Sequence, residues 1–407
     1  MLDQDMSRRA LLKGGGAAIA GLGAIQVSGP AHAFPGEPGE EVIPWLDQPP
    51  PAPYPNPLEW EKLDSYYTPA DDFFVVSHYQ ANPVANPAAW RLGIDGLVRW
   101  PQTLTLDDVK ARQRREVTFT LECSGNHGFP FVTGAVGNAR WAGTPLASLL
   151  QRAGVRRQAS EVVFWGADSG PADIRDNVGI IKRFPADPPA PGPDTLDLTI
   201  TEPFARSMSL DEAMDEQNLL CYEMNGAPLP PEHGRPLRLI APGWYGVANV
   251  KWLTRIEVTD QRFAGRFMAR DYVTIRQRTP DALSWSFSTV NHTRLKSAPA
   301  KVTRRRNRYS IMGVAWGAPI SEVEVQIDDG RWMTARLDRQ SSWKDGGFAW
   351  RFWTLEWGKA APGVHTIRSR AYDSDGNRQP RPDDPYLASR LTFWENNGQI
   401  TRKVKLN

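Results

Sequence analysis

Cysteine is scarce, with two residues in 407. Two cysteines exclude a disulfide framework and a four-cysteine iron–sulfur cluster, and the chain has no Cys-x-x-Cys-His haem attachment site. An excess of one charge is also missing. Lys and Arg number 48 against 46 Asp and Glu, a formal net charge of +2, which leaves no basic footprint for nucleic acid. Beyond residue 33 no apolar run reaches the roughly 18 residues of a membrane helix, so no membrane span is expected in the mature chain. Hydrophobic residues at 41% and charged residues at 23% suffice for real cores and exclude wholesale disorder. The 34 glycines and 35 prolines favour turns and loops over long helices. The length suggests two or three domains.

Residues 1–33 carry Ser7-Arg8-Arg9-Ala10-Leu11-Leu12-Lys13, then a weakly apolar Gly/Ala run, then Ala31-His32-Ala33, a small-x-small cleavage pattern. The paired arginines make this stretch resemble a twin-arginine signal, which implies a periplasmic protein. That route carries folded proteins, as suits a cofactor inserted before export. An ordinary secretory leader or a basic tail remains the alternative.

Residues 34–59 are Pro-rich and read as an extended arm. From 60 to 275 helix and strand signals mix. Val117 to Glu122 alternates at the strand period. Thr144-Pro145 opens an apolar helix that Gly154 closes. Ser209-x-x-Glu212 is a capping box. Pro185 to Asp194 reads as a surface loop. From 280 to 400 short strands predominate: Val323, Val325 and Ile327 alternate with polar residues before an Asp329-Gly330 turn, and Trp350–Trp357 and His365–Tyr372 follow. The expectation is an α+β domain followed by an antiparallel β-sandwich.

Leu121-Glu122-Cys123-Ser124-Gly125-Asn126 places a thiol where a strand enters a Gly-containing turn, where a backbone can approach a cofactor closely. Thiolate is a soft ligand for transition metals, and His127 stands four residues on as a base for a nucleophile. By itself a cysteine there is more often a buried small hydrophobe. Cys221-Tyr222-Glu223-Met224-Asn225-Gly226-Ala227-Pro228-Leu229-Pro230, His233-Gly234-Arg235-Pro236-Leu237-Arg238, Val250-Lys251-Trp252-Leu253 and Arg270-Asp271-Tyr272 follow in order. Together with the cysteine segment they resemble the sulfite oxidase family, and residues 313–376 resemble its β-sandwich dimerisation domain. The similarity runs from about 60 to 395.

The resemblance implies a sulfite-oxidase-type molybdopterin-binding domain followed by an immunoglobulin-like sandwich. It implies one molybdenum–molybdopterin per chain, no haem in this chain, and a homodimer. Cys123 matches the metal ligand, and Tyr272 the tyrosine that faces the metal. Phe74, Ser77, His78, Asp168, Asn249, Val250 and Lys251 match cofactor-lining positions, with His233 and Arg238 near the phosphate end. Cys221 is expected in the core. The implied activity is oxygen-atom transfer on sulfite or another small sulfur substrate. With no electron carrier in the sequence, the acceptor is a separate protein such as a periplasmic cytochrome c. Arg304-Arg305-Arg306 with Arg308 reads as a solvated strand or loop, or else as a docking face for an acidic partner.

The chain departs from the family where anion-binding arginines are expected. Val76, Gly128 and Ala318-Pro319 stand at those positions. Either other cations (His127, Arg140 and Arg91 are candidates) replace them, or the substrate is less charged than sulfite. A sulfoxide-type reductase on the same scaffold, or a non-catalytic periplasmic binding protein, are the competing readings.

Overall fold

The computed structural model describes residues 40–49, 51–79, 82–127, 133–175, 197–278, 284–338 and 347–407. The leader, the Pro185–Asp194 loop and Gly128 lie outside the described residues.

One half of the fold is built on two sheets. In the first, all antiparallel, the strands run Arg238–Ile240, Leu219–Met224, Val136–Pro145, Arg115–Glu122. The period-two pattern of Val117–Glu122 forms a strand, of which Thr118 to Glu122 are all buried. The reason is a second layer. Phe119 and Leu121 pack with Phe73 and Trp141 on one side. On the other, Thr120 Oγ1 donates to Asn138 Oδ1 at 2.9 Å and accepts from the Trp350 N–H at 2.6 Å. The polar residues of this strand meet the sandwich instead of water. Cys221 is buried in the same cluster, as expected.

The second sheet is ordered Gln102–Leu104, Leu92–Gly96, Leu253–Thr259, Glu161–Arg175, Asp197–Ser209, with a parallel pair between Leu92–Gly96 and Leu253–Thr259. The helix Leu146–Ala153 lies over its core with Leu146, Leu149 and Leu150 fully buried. It ends where Gly154 takes φ 67° and donates its N–H to the Leu150 and Gln151 carbonyls. Ser209 and Glu212 form both bonds of the capping box.

The all-β half is a two-sheet sandwich. One sheet runs Glu41–Ile43, Lys296–Arg305, Arg308–Trp316, Arg351–Gly358, Arg336–Leu337; the other runs Trp332–Thr334, Ile320–Ile327, Gly363–Asp373, Ile400–Leu406. Alternate residues Val302, Ile311, Val323, Val325, Trp353, Ile367 and Val404 interdigitate between them. Two boundaries differ from expectation. The sandwich continues through Leu406, because the last strand pairs with Gly363–Asp373. The Pro-rich arm is also part of it: Glu41–Ile43 pairs with Lys296–Arg305, and the buried Trp45 donates Nε1–H to the Ala300 carbonyl at 2.9 Å. A bare edge strand presents unpaired amides and carbonyls, and the arm covers them. The arginine run sits at the Arg305–Arg308 hairpin, with Arg304 2.6 Å from Glu41.

The halves meet through polar and aromatic contacts. Lys296 of the sandwich and Glu122 are both fully buried and 2.5 Å apart. Glu122 also accepts from Trp316 Nε1 at 2.9 Å and Asn126 Nδ2 at 3.0 Å. A carboxylate buried this deeply is held only because each oxygen finds donors. Among the described residues no helix is long and apolar enough to cross a membrane.

Candidate functional site

Cys123 follows the last residue of its strand. Its N–H donates to the Ala135 carbonyl at 2.9 Å, and its own carbonyl accepts from the Asn126 N–H at 2.9 Å. Asn126 completes the turn by accepting from the N–H groups of Gly134 and Ala135. The backbone around the thiol is thereby fixed. Burial raises the thiol's pKa, opposed by a bond from the Gly125 backbone.

The thiol opens into a cavity of about 640 Å3 counted with its mouth. The structure brings together there Phe74, Ser77, His78, Cys123, Asp168, His233, Arg238, Asn249, Lys251 and Tyr272. Val250 is the exception. Its side chain belongs to the hydrophobic core, and its carbonyl accepts from the Leu239 N–H. The segment follows a short 3-10 turn, and its one apolar side chain takes the core while Asn249 and Lys251 line the cavity.

Two cations stand at one end. Lys251 Nζ donates to Ser77 Oγ at 2.8 Å and the Glu232 carbonyl at 3.0 Å. Arg238 donates from Nη1 to the His233 carbonyl and from Nη2 to the Asn249 carbonyl, both at 3.0 Å, and lies over the Trp141 ring. Burial lowers the Lys251 pKa to about 7, with Arg238 pushing the same way. Burial lowers that of Arg238 to about 10. Among the described residues neither forms an ion pair, and Arg238 Nε is buried without a partner. Gly234 sits between them at φ 109°. A Cβ there would lie 3.0 Å from Lys251 Cβ and 3.1 Å from Arg238 Cβ, so glycine is what lets the two cations converge.

The other groups, apart from Asp168, are neutral. Burial holds His233 at a pKa of about 4, and its Nε2–H donates to the Ala70 carbonyl at 3.0 Å. Burial raises Asp168 to about 6 and leaves Oδ1 without a partner. Asn249 faces the cavity but spends its amide on backbone, accepting from the Ala241 N–H at 2.7 Å and donating to the Tyr245 carbonyl at 3.0 Å. Tyr272 Oη and His78 Nε2 are 2.6 Å apart. Burial lowers His78 to about 4, and burial followed by Cys123 raises Tyr272 above the ordinary phenol range, so the bond joins a neutral imidazole to a protonated phenol.

The positions bare of arginine divide. Val76 lines the cavity. Ala318 is in the sandwich core. None of the replacement candidates lines the cavity. Arg91 is exposed and bonded to the Ala88 and Trp90 carbonyls, and Arg140 faces Glu116. His127 is buried beside the cysteine turn, where burial lowers its pKa to about 3. Residues not anticipated include Phe204, stacked on His78 at 5.0 Å, and Trp394, stacked on Tyr272 at 4.3 Å. Arg206 is buried behind them, donating to the Phe267 and Val290 carbonyls. These depend on distant segments meeting, and no local pattern marks them.

Among the described residues no group of three or more His, Cys, Asp and Glu side chains is placed to hold a metal ion. The unpaired Arg238 Nε, the open Asp168 Oδ1 and two cations without counter-ions suit a bound molecule carrying a phosphate and polar ring edges.

The oxidoreductase molybdopterin binding domain family matches residues 78–186 and 190–267, and the Mo-co oxidoreductase dimerisation domain family matches residues 287–394. The chain is 30% identical over 351 residues to the sulfite oxidase of Gallus gallus, covering 78% of this chain and 69% of that protein. It is 30% identical over 349 residues to the mitochondrial sulfite oxidase of Drosophila melanogaster, covering 78% of this chain and 56% of that one. It thus spans little more than half the length of the mitochondrial relatives. Among solved structures, the sulfane dehydrogenase SoxCD from Paracoccus pantotrophus superposes with a TM-score of 0.69 at 24% identity, over 95% of this chain and 96% of that one. At that identity the likeness is one of fold.

Proposed function

This chain belongs to the sulfite oxidase family of molybdopterin-dependent oxidoreductases, and from that premise we propose that it oxidises a small sulfur compound by oxygen-atom transfer. It works in the periplasm after twin-arginine export, pairs with a second copy through the sandwich, and passes electrons to a separate protein. The observation that carries this reading is convergence: one thiol, two uncompensated buried cations and a histidine-bonded tyrosine share a single cavity.

When bound, molybdenum–molybdopterin supplies the two-electron oxygen-atom transfer. Cys123 would be its protein ligand. Arg238 and Lys251 would take the phosphate, an anion that restores full charge to Lys251. Asp168 and His233 offer polar edges to the ring system. Asn249 shapes the wall by tying down its own loop. Phe74, Phe204 and Val247 exclude water and strengthen each polar contact inside. Tyr272 holds a proton at Oη, oriented by His78, and can donate or accept a hydrogen bond while staying neutral.

The substrate carries less negative charge than sulfite. Val76 lines the cavity where a guanidinium is expected, Ala318 is in the sandwich core, and the described cations of the cavity are engaged at the phosphate end. An oxyanion there lacks the paired donors it needs.

The test has two arms. Freshly purified protein is expected to hold close to one molybdenum and one pterin per chain, and Cys123→Ser is expected to lose most of the metal; metal-free wild-type protein sinks the reading. Sulfite oxidation with cytochrome c as acceptor is expected to be poor beside that of sulfite oxidases. A kcat/KM comparable to theirs refutes the low-charge substrate.

A further inference from the structure

Tyr272 connects the cavity to the surface. Its ring stacks on Trp394 with centroids 4.3 Å apart and planes 28° apart, and Trp394 packs on Phe393 at 4.0 Å. Phe393 is 50% exposed. The same two rings cover the turn that carries the thiol. A Cβ at Gly125, two residues past Cys123, would lie 3.1 Å from Phe393 and 3.3 Å from Trp394. Three aromatic rings in contact therefore lead from the cavity wall to solvent.

The surface they reach carries several exposed apolar side chains. The strands Val273–Gln277 and Trp285–Thr289 form an isolated ribbon, and residues 389–391 run along it: Ser389 accepts from the Gln277 N–H, and Leu391 donates to the Ile275 carbonyl. Ile275 is also opposite Phe287, which is 69% exposed. Trp285, Leu391 and Tyr386 are exposed as well. A folded protein seldom leaves this much aromatic surface in water without a partner for it. Arginines alternate with these residues and border them from the ribbon's other face. Arg276 lies 3.8 Å over the Tyr386 ring, Arg390 donates to the Trp394 carbonyl, and Arg278 is exposed at the ribbon's end. Among the described residues none of the three forms an ion pair.

We infer that this face is the docking and electron-exit surface for a one-electron redox protein with an acidic rim. The inference rests on the reading above that electrons leave to a separate protein. Apolar centre and cationic rim suit a small, transient interface in which charge steers the encounter and aromatic contact brings the redox centres close. Each docking reduces one partner molecule by one electron through the Tyr272–Trp394–Phe393 contacts. Two dockings balance the two-electron oxidation of one substrate. The arginine run at 304–308 has no part in this, because it lies on a sandwich hairpin and Arg304 is paired with Glu41.

The test titrates holoenzyme with an oxidised acidic bacterial cytochrome c by calorimetry at about 20 and 200 mM salt. In parallel, substrate-driven reduction of the cytochrome and of ferricyanide, a small acceptor that needs no docking face, is followed. Phe287→Ser and Arg278→Glu are each expected to weaken cytochrome binding about tenfold at low salt. Ferricyanide reduction, molybdenum content and melting temperature should stay at the parent values. Binding within about twofold of the parent overturns the inference, as does an equal loss with ferricyanide. A dimer that Phe287→Ser converts to monomer overturns it too, since the patch would then be covered by a second copy. Wild-type protein that holds molybdenum yet reduces ferricyanide with no sulfur compound counts against the functional reading itself, whatever the binding shows.

Discussion

Replacing Lys296 with methionine isolates the contact that joins the two halves at the cysteine strand. Lysine and methionine have similar volumes, so the change removes charge rather than packing. Glu122 would remain fully buried with two donors, Asn126 Nδ2 and Trp316 Nε1, and without its cation at 2.5 Å. Breaking a buried pair from one side costs about 3–5 kcal/mol, most of it from the stranded charge. Spread over the 375 residues of Ala33–Asn407, at about 2.1 cal/mol/K of unfolding entropy per residue, that is a fall in Tm of about 4–6 °C. Differential scanning calorimetry reads it directly. Removing the second charge as well, with Glu122→Gln added to Lys296→Met, should recover most of the loss, because a neutral amide still accepts from Trp316 and is far cheaper to bury. A single variant that melts within about 1 °C of the parent refutes the reasoning. So does a double variant no better than the single, since the cost would then lie in shape and not in charge.

Tyr272→Phe leaves the His78 nitrogen without its partner; it should destabilise by about 1–3 kcal/mol in urea titration and slow turnover while metal content holds. Gly234→Ala forces a side chain into φ 109° between Lys251 and Arg238; purified protein should lose molybdenum and pterin together, and full retention would count against the cradle. Asp168→Asn concerns pH in the cofactor-free chain. Burial raises the folded-state pKa to about 6, so ionising this carboxyl works against folding: the cost is absent below about pH 4, grows up to about pH 6 and is complete above it. The variant should therefore melt higher than the parent at pH 7.5, by up to about 3 kcal/mol of stability, and match it near pH 4. An offset that is the same at both pH values would show that the carboxyl does not titrate as the cavity requires.

Some of this was legible residue by residue. Gly154 closes its helix and Ser209 caps the next one because such signals act over one turn of chain, where sequence and geometry coincide. The alternation of Val117 to Glu122 marked the strand but not its surroundings, since whether a threonine meets water or Trp350 is settled by a domain more than two hundred residues away. The cavity-lining residues are scattered from Phe74 to Tyr272, and only their resemblance to a family could gather them beforehand. That resemblance carried Val250 along with its neighbours, although its apolar side chain packs in the core. Arg206, Trp394 and the Glu122–Lys296 pair had no signal, because a buried charge or stacked ring is ordinary in sequence until its partner arrives.

The edge strand at Glu41–Ile43 fastens the arm to strands far along the chain. Ile43 is paired with Val302, and Trp45 bridges to Val404 and lies under Arg402. Ile43 can pair once Val302 is made, but the packing of Trp45 waits for residues 400–406, which supply Val404 and Arg402. A chain broken off before residue 400 therefore leaves the outer edge of Gly363–Asp373 bare and Trp45 without its cover.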